Sequence, residues 1–421
     1  MITTTKSKVF IHKFLSRCYS FRREGCIFIF LLLSFLSSAP SALHDWNSGW
    51  YVMDYSLGFD SRLLIGSLLR LFYPGYLPAE SAYAFVFCSI IVFLILLSYV
   101  LGFALRRTDK LPANTSLLLL ITLYLLGPGS PAYLWTSENM GRFDLYLIIL
   151  TVFAAILYIK IPSVTMRLIS FTIIGLIALC VHQVFMFIFL PLLFTMFVDT
   201  VSEKCRKSDF VLGILGLFLL CVAFVYLQVF SHLNISTLKD LTALLSSRTD
   251  MNVNETALRY EYFCTIDTAF YELMLNQLSE RIRYGAVTIF LLSPLALIYG
   301  YLWNRILKAA GAAKLKYSLF LLSQLCFVPA FWLAIDWGRW FGAFLTVQAL
   351  QIVLLAAKKD TVVLAGLTEL RTCFHKHPYV FIAAGLWMAS LSKFQTTLLP
   401  DAPVFFTSVY KLLRTILFYL L

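Results

Sequence analysis

Between Glu80 and Arg106 the chain carries no Asp, Glu, Lys, Arg or His. The same holds between Asp209 and His232 and between Arg283 and Arg305. An uncharged stretch of about 20 residues is what an α-helix needs to cross the hydrocarbon of a bilayer. In lipid every backbone polar group must be satisfied inside its own segment, so repeated runs of this kind restrict the fold to a helical bundle. Composition points the same way. Of 421 residues, 60% are hydrophobic and 13% charged, where soluble domains carry about 45–50% and about 25%. A water-soluble globule is excluded. So is a basic nucleic-acid binder, because the net charge of +12 sits on a mean hydropathy of +0.82.

The reading is therefore all-α, a polytopic transmembrane bundle. Spans are expected near 25–43, 82–105, 115–133, 143–161, 168–182, 184–199, 210–230, 285–303, 317–335, 341–357 and 379–392, with 404–421 a twelfth. The polar pair His182-Gln183 divides the long run 166–199 into two short helices. Four parts follow: a basic N-terminus 1–24, a first membrane part 25–230 with an outer loop 44–73, a soluble loop 231–284, and a second membrane part 285–421. The loop 231–284 is expected to form a small helical cap.

Threading these spans with the N-terminus in the cytoplasm puts 22 of the 34 lysines and arginines on the inner side. Basic residues favour cytoplasmic loops, so the basic excess sets orientation and faces anionic lipid rather than a basic-seeking ligand. The nine cysteines include no CxxC pair and mostly lie in apolar runs, which suits small buried hydrophobes rather than a disulfide framework. No phosphate-binding loop, dinucleotide fingerprint, GxSxG elbow or HExxH is present, and no cofactor is demanded. Cys373-x-His375-x-His377 lies in a basic inner loop without an acidic partner and reads as a solvated loop, so no metal ligands are assigned.

The polar residues left over gather in the short outer segments. His44–Arg62 holds Asp45, Trp46, Trp50, Asp54 and Arg62. The amphipathic stretch 63–72 follows it, too polar to span and suited to the interface. Trp135–Asp144 holds Glu138, Arg142 and Asp144. His182 and Gln183 stand at the fifth turn, and Asp336-Trp337-Gly338-Arg339-Trp340 follows the ninth span. Two of these segments share a form, an acid followed by Gly-Arg-aromatic. Carboxylates serve as general bases towards hydroxyls, arginines hold phosphate in bidentate fashion, and tryptophan faces stack on sugar rings. Nucleotide donors are absent from the outer side of a membrane, so the energy for chemistry there must arrive on a lipid.

On Asp45 and Asp54 in the first outer loop, with Tyr55, Gly58 and Arg62 beside them, the chain resembles membrane glycosyltransferases of the GT-C type. It is similar too to the related repeat-unit (O-antigen or capsule) polymerases of bacteria. It lacks the adjacent acidic pair and the WWD motif of that class. The resemblance implies a sugar or repeat unit transferred from a polyprenyl-(di)phosphate donor at the outer face of a bacterial inner membrane, for surface-polysaccharide biosynthesis. It implies Asp54 as general base, with Asp45 and Asp144 as alternates. Arg62, Arg142, His182 and Arg339 would bind the lipid phosphate. Trp46, Trp50, Glu138, Asp336 and Trp337 would contact sugar. A divalent cation is compatible with the outer acids but not required by their spacing. The partners implied are the lipid-linked glycan and the bilayer, with no nucleic acid. The competing readings are a transporter or flippase for a lipid-linked glycan, a membrane acyltransferase with His182 as base, and an assembly subunit.

Overall fold

The computed structural model describes residues 21–394 apart from 204–205, 264–267, 269–270, 273–274 and 334–335. The N-terminal residues 1–20 and the proposed twelfth span 404–421 lie outside the described residues. The chain is a bundle of helices and short helical turns. The strand pair described is Gly58–Phe59 against His232–Leu233, antiparallel. This is a multi-pass membrane protein: among the described residues six helices are long and apolar enough to cross a bilayer, or seven if Arg281–Leu291 and Ser293–Ala309, bent by 65°, form one span.

The six are Ala79–Arg107, Ala113–Trp135, Val164–Val181, Lys207–Phe230, Gly311–Trp332 and Trp337–Ala357. Eleven or twelve were expected, and the difference lies in where apolar runs break. The run 184–199 contains a turn at Phe185–Ile188 and continues as Leu190–Ser202, which is 13 residues; Pro378–Ser390 is also 13. At 1.5 Å per residue such helices reach only about 20 Å, short of the roughly 30 Å hydrocarbon. Arg22–Ser38 and Asp144–Lys160 stop at 17 residues. The residues after Lys359, read as an inner loop, instead form the helix Thr361–Lys376. It is capped by Asp360, whose carboxylate accepts from the backbone N–H groups of Val362 and Val363. It packs against Ser293–Ala309, Gly366 lying where a Cβ would sit 2.7 Å from Ile306.

Burial ranks the spans. Trp337–Ala357 is 89% buried across its apolar window and runs through the middle of the bundle, while Lys207–Phe230 is 22% buried. The latter exposes Phe210, Ile214, Phe218, Val225 and Val229 along its length, a surface that water would not tolerate and lipid does. The central helix carries neutral polar side chains that are satisfied internally. Thr346 receives the Tyr124 hydroxyl, Gln348 receives the Trp303 indole N–H, and Gln351 donates to Thr195.

At the end of the bundle where Trp337–Ala357 finishes, ion pairs tie several helices together. Arg167 holds Glu203 through both terminal nitrogens at 2.8 and 2.6 Å, and Lys358 reaches the same carboxylate at 3.1 Å. Lys316 bridges Asp199 and Asp360 at 2.5 and 3.4 Å. Tyr158 donates to Asp199, and Tyr317 to Asp360.

Candidate functional site

The opposite end holds a cavity of about 370 Å³. Its walls come from segments far apart in the chain. The helical turns Asp45–Ser48 and Gly49–Val52 bring Trp46, Asn47 and Trp50. Arg62 precedes the amphipathic helix Leu63–Arg70, which packs so tightly that a Cβ on Gly66 would lie 1.8 Å from the Met53 carbonyl oxygen. Arg142 follows Gly141, whose φ of +88° turns the chain into the helix Asp144–Lys160. His182 and Gln183 sit where Val164–Val181 ends, and Arg339 lies in the first turn of Trp337–Ala357. The two Gly-Arg-aromatic segments thus face one another across this space.

The charges are paired in two groups. Arg339 donates from one terminal nitrogen to both oxygens of Asp144, at 3.0 and 2.9 Å, and from Nε and its other nitrogen to Asp336, at 3.0 and 2.5 Å. Its guanidinium lies 4.2 Å over the Trp340 ring. Arg142 stands 3.9 Å from Asp336, and its buried Nε has no hydrogen-bond partner among the described residues. In the second group Arg62 pairs with Glu261 at 2.6 Å, contacts His182 Nε2 at 3.2 Å and lies 4.9 Å over the Trp50 ring.

This crowding shifts the titrating groups outside the spans. Burial and the neighbouring Arg339 lower Arg142 to about 10. Burial, then Arg62, Arg339 and Arg142, push the His182 imidazole well below its usual range, so it is neutral at pH 7. Burial pushes Asp336 up, but Arg339 and Arg142 outweigh it and hold the carboxyl below the usual value. Burial and Asp60 raise Glu261 in spite of Arg62.

Of the residues expected from sequence, Trp46, Trp50, Arg62, Arg142, His182, Asp336 and Arg339 line the cavity. Asp144 stands directly behind Arg339 and is 2% exposed. The others lie elsewhere. Asp54, expected as the base, is not on the cavity wall. It accepts from Arg70 at 2.6 Å, Arg248 at 2.8 Å and the Ser56 backbone at 2.7 Å, and these contacts hold its carboxyl below the usual range against the effect of burial. Asp45 is exposed and accepts from Asn252 at 2.7 Å. Glu138 offers its backbone carbonyl to Asn47 at 3.1 Å. Trp337 packs edge-on against Phe331 and closes over Gly285.

The loop 231–284 does more than cap the bundle. Its start pairs with Gly58–Phe59, where Gly58 has φ +149° and a Cβ would meet the His232 carbonyl oxygen at 2.3 Å. The helix Leu238–Ser247 follows, and Arg248 at its end reaches Asp54. Further on, Glu255–Leu258 runs into the wide turn Arg259–Phe263, which sends Tyr260 and Glu261 into the cavity. Glu261, Gln183 and Asn47 were not assigned from sequence, and only Gln183 carried a local signal, as a polar break in an apolar run.

The donor set favours anions over cations. Asp144 and Asp336 are committed to Arg339, and Glu261 to Arg62, and no group of three or more His, Cys, Asp and Glu placed to hold a metal ion occurs among the described residues. Phe187 and Phe224, packed edge-on at 5.6 Å, add an apolar wall beside the exposed helix Lys207–Phe230. Compared with family models, curated proteins and solved structures, the chain matches none.

Proposed function

We propose that the protein is an integral-membrane transferase that accepts a sugar or repeat unit from a polyprenyl-(di)phosphate carrier at the outer face of the membrane. One observation carries this reading: three guanidiniums and a neutral imidazole converge in one cavity that also offers tryptophan faces and an apolar wall. Arg142 is the anchor for the phosphate, because its nearest carboxylate is 3.9 Å away, whereas Arg62 and Arg339 hold carboxylates at 2.6 and 2.5 Å. Arg62 and Arg339 flank it and stabilise the charge that develops as the phosphate leaves. His182, neutral at pH 7, supplies a hydrogen bond without repelling the guanidiniums. Trp46 and Trp50 provide surface for a sugar ring, and Phe187 with Phe224 for the first isoprene units. A polymerase that moves whole repeat units needs the same parts.

Transport of the lipid-linked glycan is the rival. It requires a polar route between the two ends, and Thr195, Gln324 and Gln351 in the middle of the bundle are neutral and bonded to one another. The test is farnesyl phosphate binding to protein in liposomes. Arg142→Ala is expected to weaken it by about 10- to 100-fold, the equivalent of one charge-assisted contact of about 1.5–3 kcal/mol. Unchanged affinity in that variant refutes the phosphate assignment.

A further inference from the structure

A second chamber of about 230 Å³ adjoins the cavity. Gln183, Gln228 and Glu261 line both, so these side chains form the partition. The two spaces differ in chemistry. The first is walled by three guanidiniums; the second by Asp60, Ser231 and His232, with no arginine or lysine among the described residues. The buried Oγ of Ser231 has no hydrogen-bond partner among the described residues. A chamber of that size has room for one sugar ring.

Resting on the transferase reading above, the geometry points to Glu261 as the general base of the transfer, taking its proton from a hydroxyl of an acceptor glycan seated in the second chamber. Position is the first argument. Glu261 borders both the phosphate-binding space and the polar one, and its side chain keeps 25% of its surface free although it is ion-paired. Asp60 lines the second chamber only, and its Oδ1 is taken by the Arg62 backbone N–H at 3.0 Å. Asp54 and Asp144 are each held by arginine outside either wall. Basicity is the second argument, since burial and Asp60 raise the Glu261 carboxyl above its usual value.

The balance of the step is simple. The acceptor oxygen bonds to the anomeric carbon while that carbon's bond to the phosphate oxygen breaks. The hydroxyl proton passes to Glu261, and the electron pair leaves on the phosphate, which Arg142 and Arg339 receive. Arg62 links the two events. An incoming phosphate competes with Glu261 for the Arg62 guanidinium and so releases the carboxylate to act as base.

The test has two arms, both on the full chain in liposomes. In the first, Ser231→Cys is labelled with a maleimide against the background of the unsubstituted protein. Methyl glucoside at tens of millimolar is expected to slow labelling several-fold and farnesyl phosphate is not. No protection by methyl glucoside overturns the acceptor chamber. In the second, Glu261→Gln is expected to cut transfer from a polyprenyl-phosphate glucose to methyl glucoside by about 100-fold or more. It should bind farnesyl phosphate as tightly as the parent or tighter, because Arg62 is freed. A merely structural role for Glu261 would weaken both, and loss of both overturns the assignment. Wild-type transfer rates in Glu261→Gln overturn it too, as does a parent protein that binds farnesyl phosphate yet transfers nothing to a protecting sugar. A parent that binds no farnesyl phosphate sinks the transferase reading itself, and the labelling arm tells that failure apart.

Discussion

Asp144→Asn tests whether Arg339 is held in place by its ion pairs. Asp144 is 2% exposed and accepts two hydrogen bonds from one nitrogen of Arg339, at 3.0 and 2.9 Å. Removing one partner of a buried pair costs about 3–5 kcal/mol where the survivor is left alone. Arg339 is not left alone, because Asp336 keeps its other two donors. The amide also retains one carbonyl acceptor. A hydrogen bond to a charged group contributes about 1.5–3 kcal/mol, so Asp144→Asn is expected to lose about 2 kcal/mol. Arg339→Gln is worse: it leaves two carboxylates facing Arg142 alone, at 3.9 Å from Asp336, and is expected to lose about 3–5 kcal/mol. Equilibrium unfolding by SDS in mixed micelles measures each loss. The double variant Asp144→Asn/Arg339→Gln removes the charge imbalance between the two positions and should recover more than about 0.5 and up to about 3 kcal/mol of the summed losses, the range expected for groups in direct contact. Losses that add within about 0.5 kcal/mol refute the coupling and with it the claim that Asp144 positions Arg339.

Asp54→Asn is expected to lose about 1–3 kcal/mol at pH 7 and to leave farnesyl phosphate affinity unchanged, because its two arginines lie off the cavity wall. Its folded carboxyl sits below the usual value, so this stability is present at neutral pH and lost as pH falls through the low end of the carboxylate range. The variant and its parent should therefore converge in acid unfolding. An Asp54→Asn protein of normal stability that transfers no sugar would restore Asp54 as the base. Gly66→Ala should abolish the folded yield, since its Cβ falls 1.8 Å from a backbone oxygen that no rotamer can move; normal expression and detergent stability would contradict the close packing of Leu63–Arg70 on Met53.

The class of fold was legible because lipid imposes a length and an absence of charge that a one-dimensional string records directly. The number of spans was less so. Hydropathy does not register the break at Phe189-Leu190-Pro191 or the 65° bend before Ser293, both of which depend on backbone geometry. Within the candidate site, Arg62, Arg142, His182 and Arg339 were legible as charges and polar groups stranded where apolar runs end. Asp54 was misleading for the same reason that it looked promising: an acid in the first outer loop says nothing of Arg70, one helix along, or Arg248, which arrives from nearly two hundred residues away. Glu261 was invisible because the loop 231–284 is conventionally polar, and only the turn Arg259–Phe263 aims that one carboxylate inward.

The cavity's arginines divide into fixed and exchangeable ones. Arg339 is held by Asp144 and Asp336, which stand at the starts of the helices Asp144–Lys160 and Trp337–Ala357. Moving it means shifting the core helix of the bundle. Arg62 is held by Glu261, which belongs to a polar loop tied down by a two-residue strand pair and the Arg248–Asp54 bridge. An anion entering the cavity cannot displace two helix-borne carboxylates from Arg339 as readily as one loop-borne carboxylate from Arg62. Ligand binding therefore acts first on the Arg62–Glu261 pair. A site built only to grip phosphate would gain most by leaving Arg62 unpaired. The pairing with Glu261 makes physical sense if the carboxylate released by binding is needed for the next step.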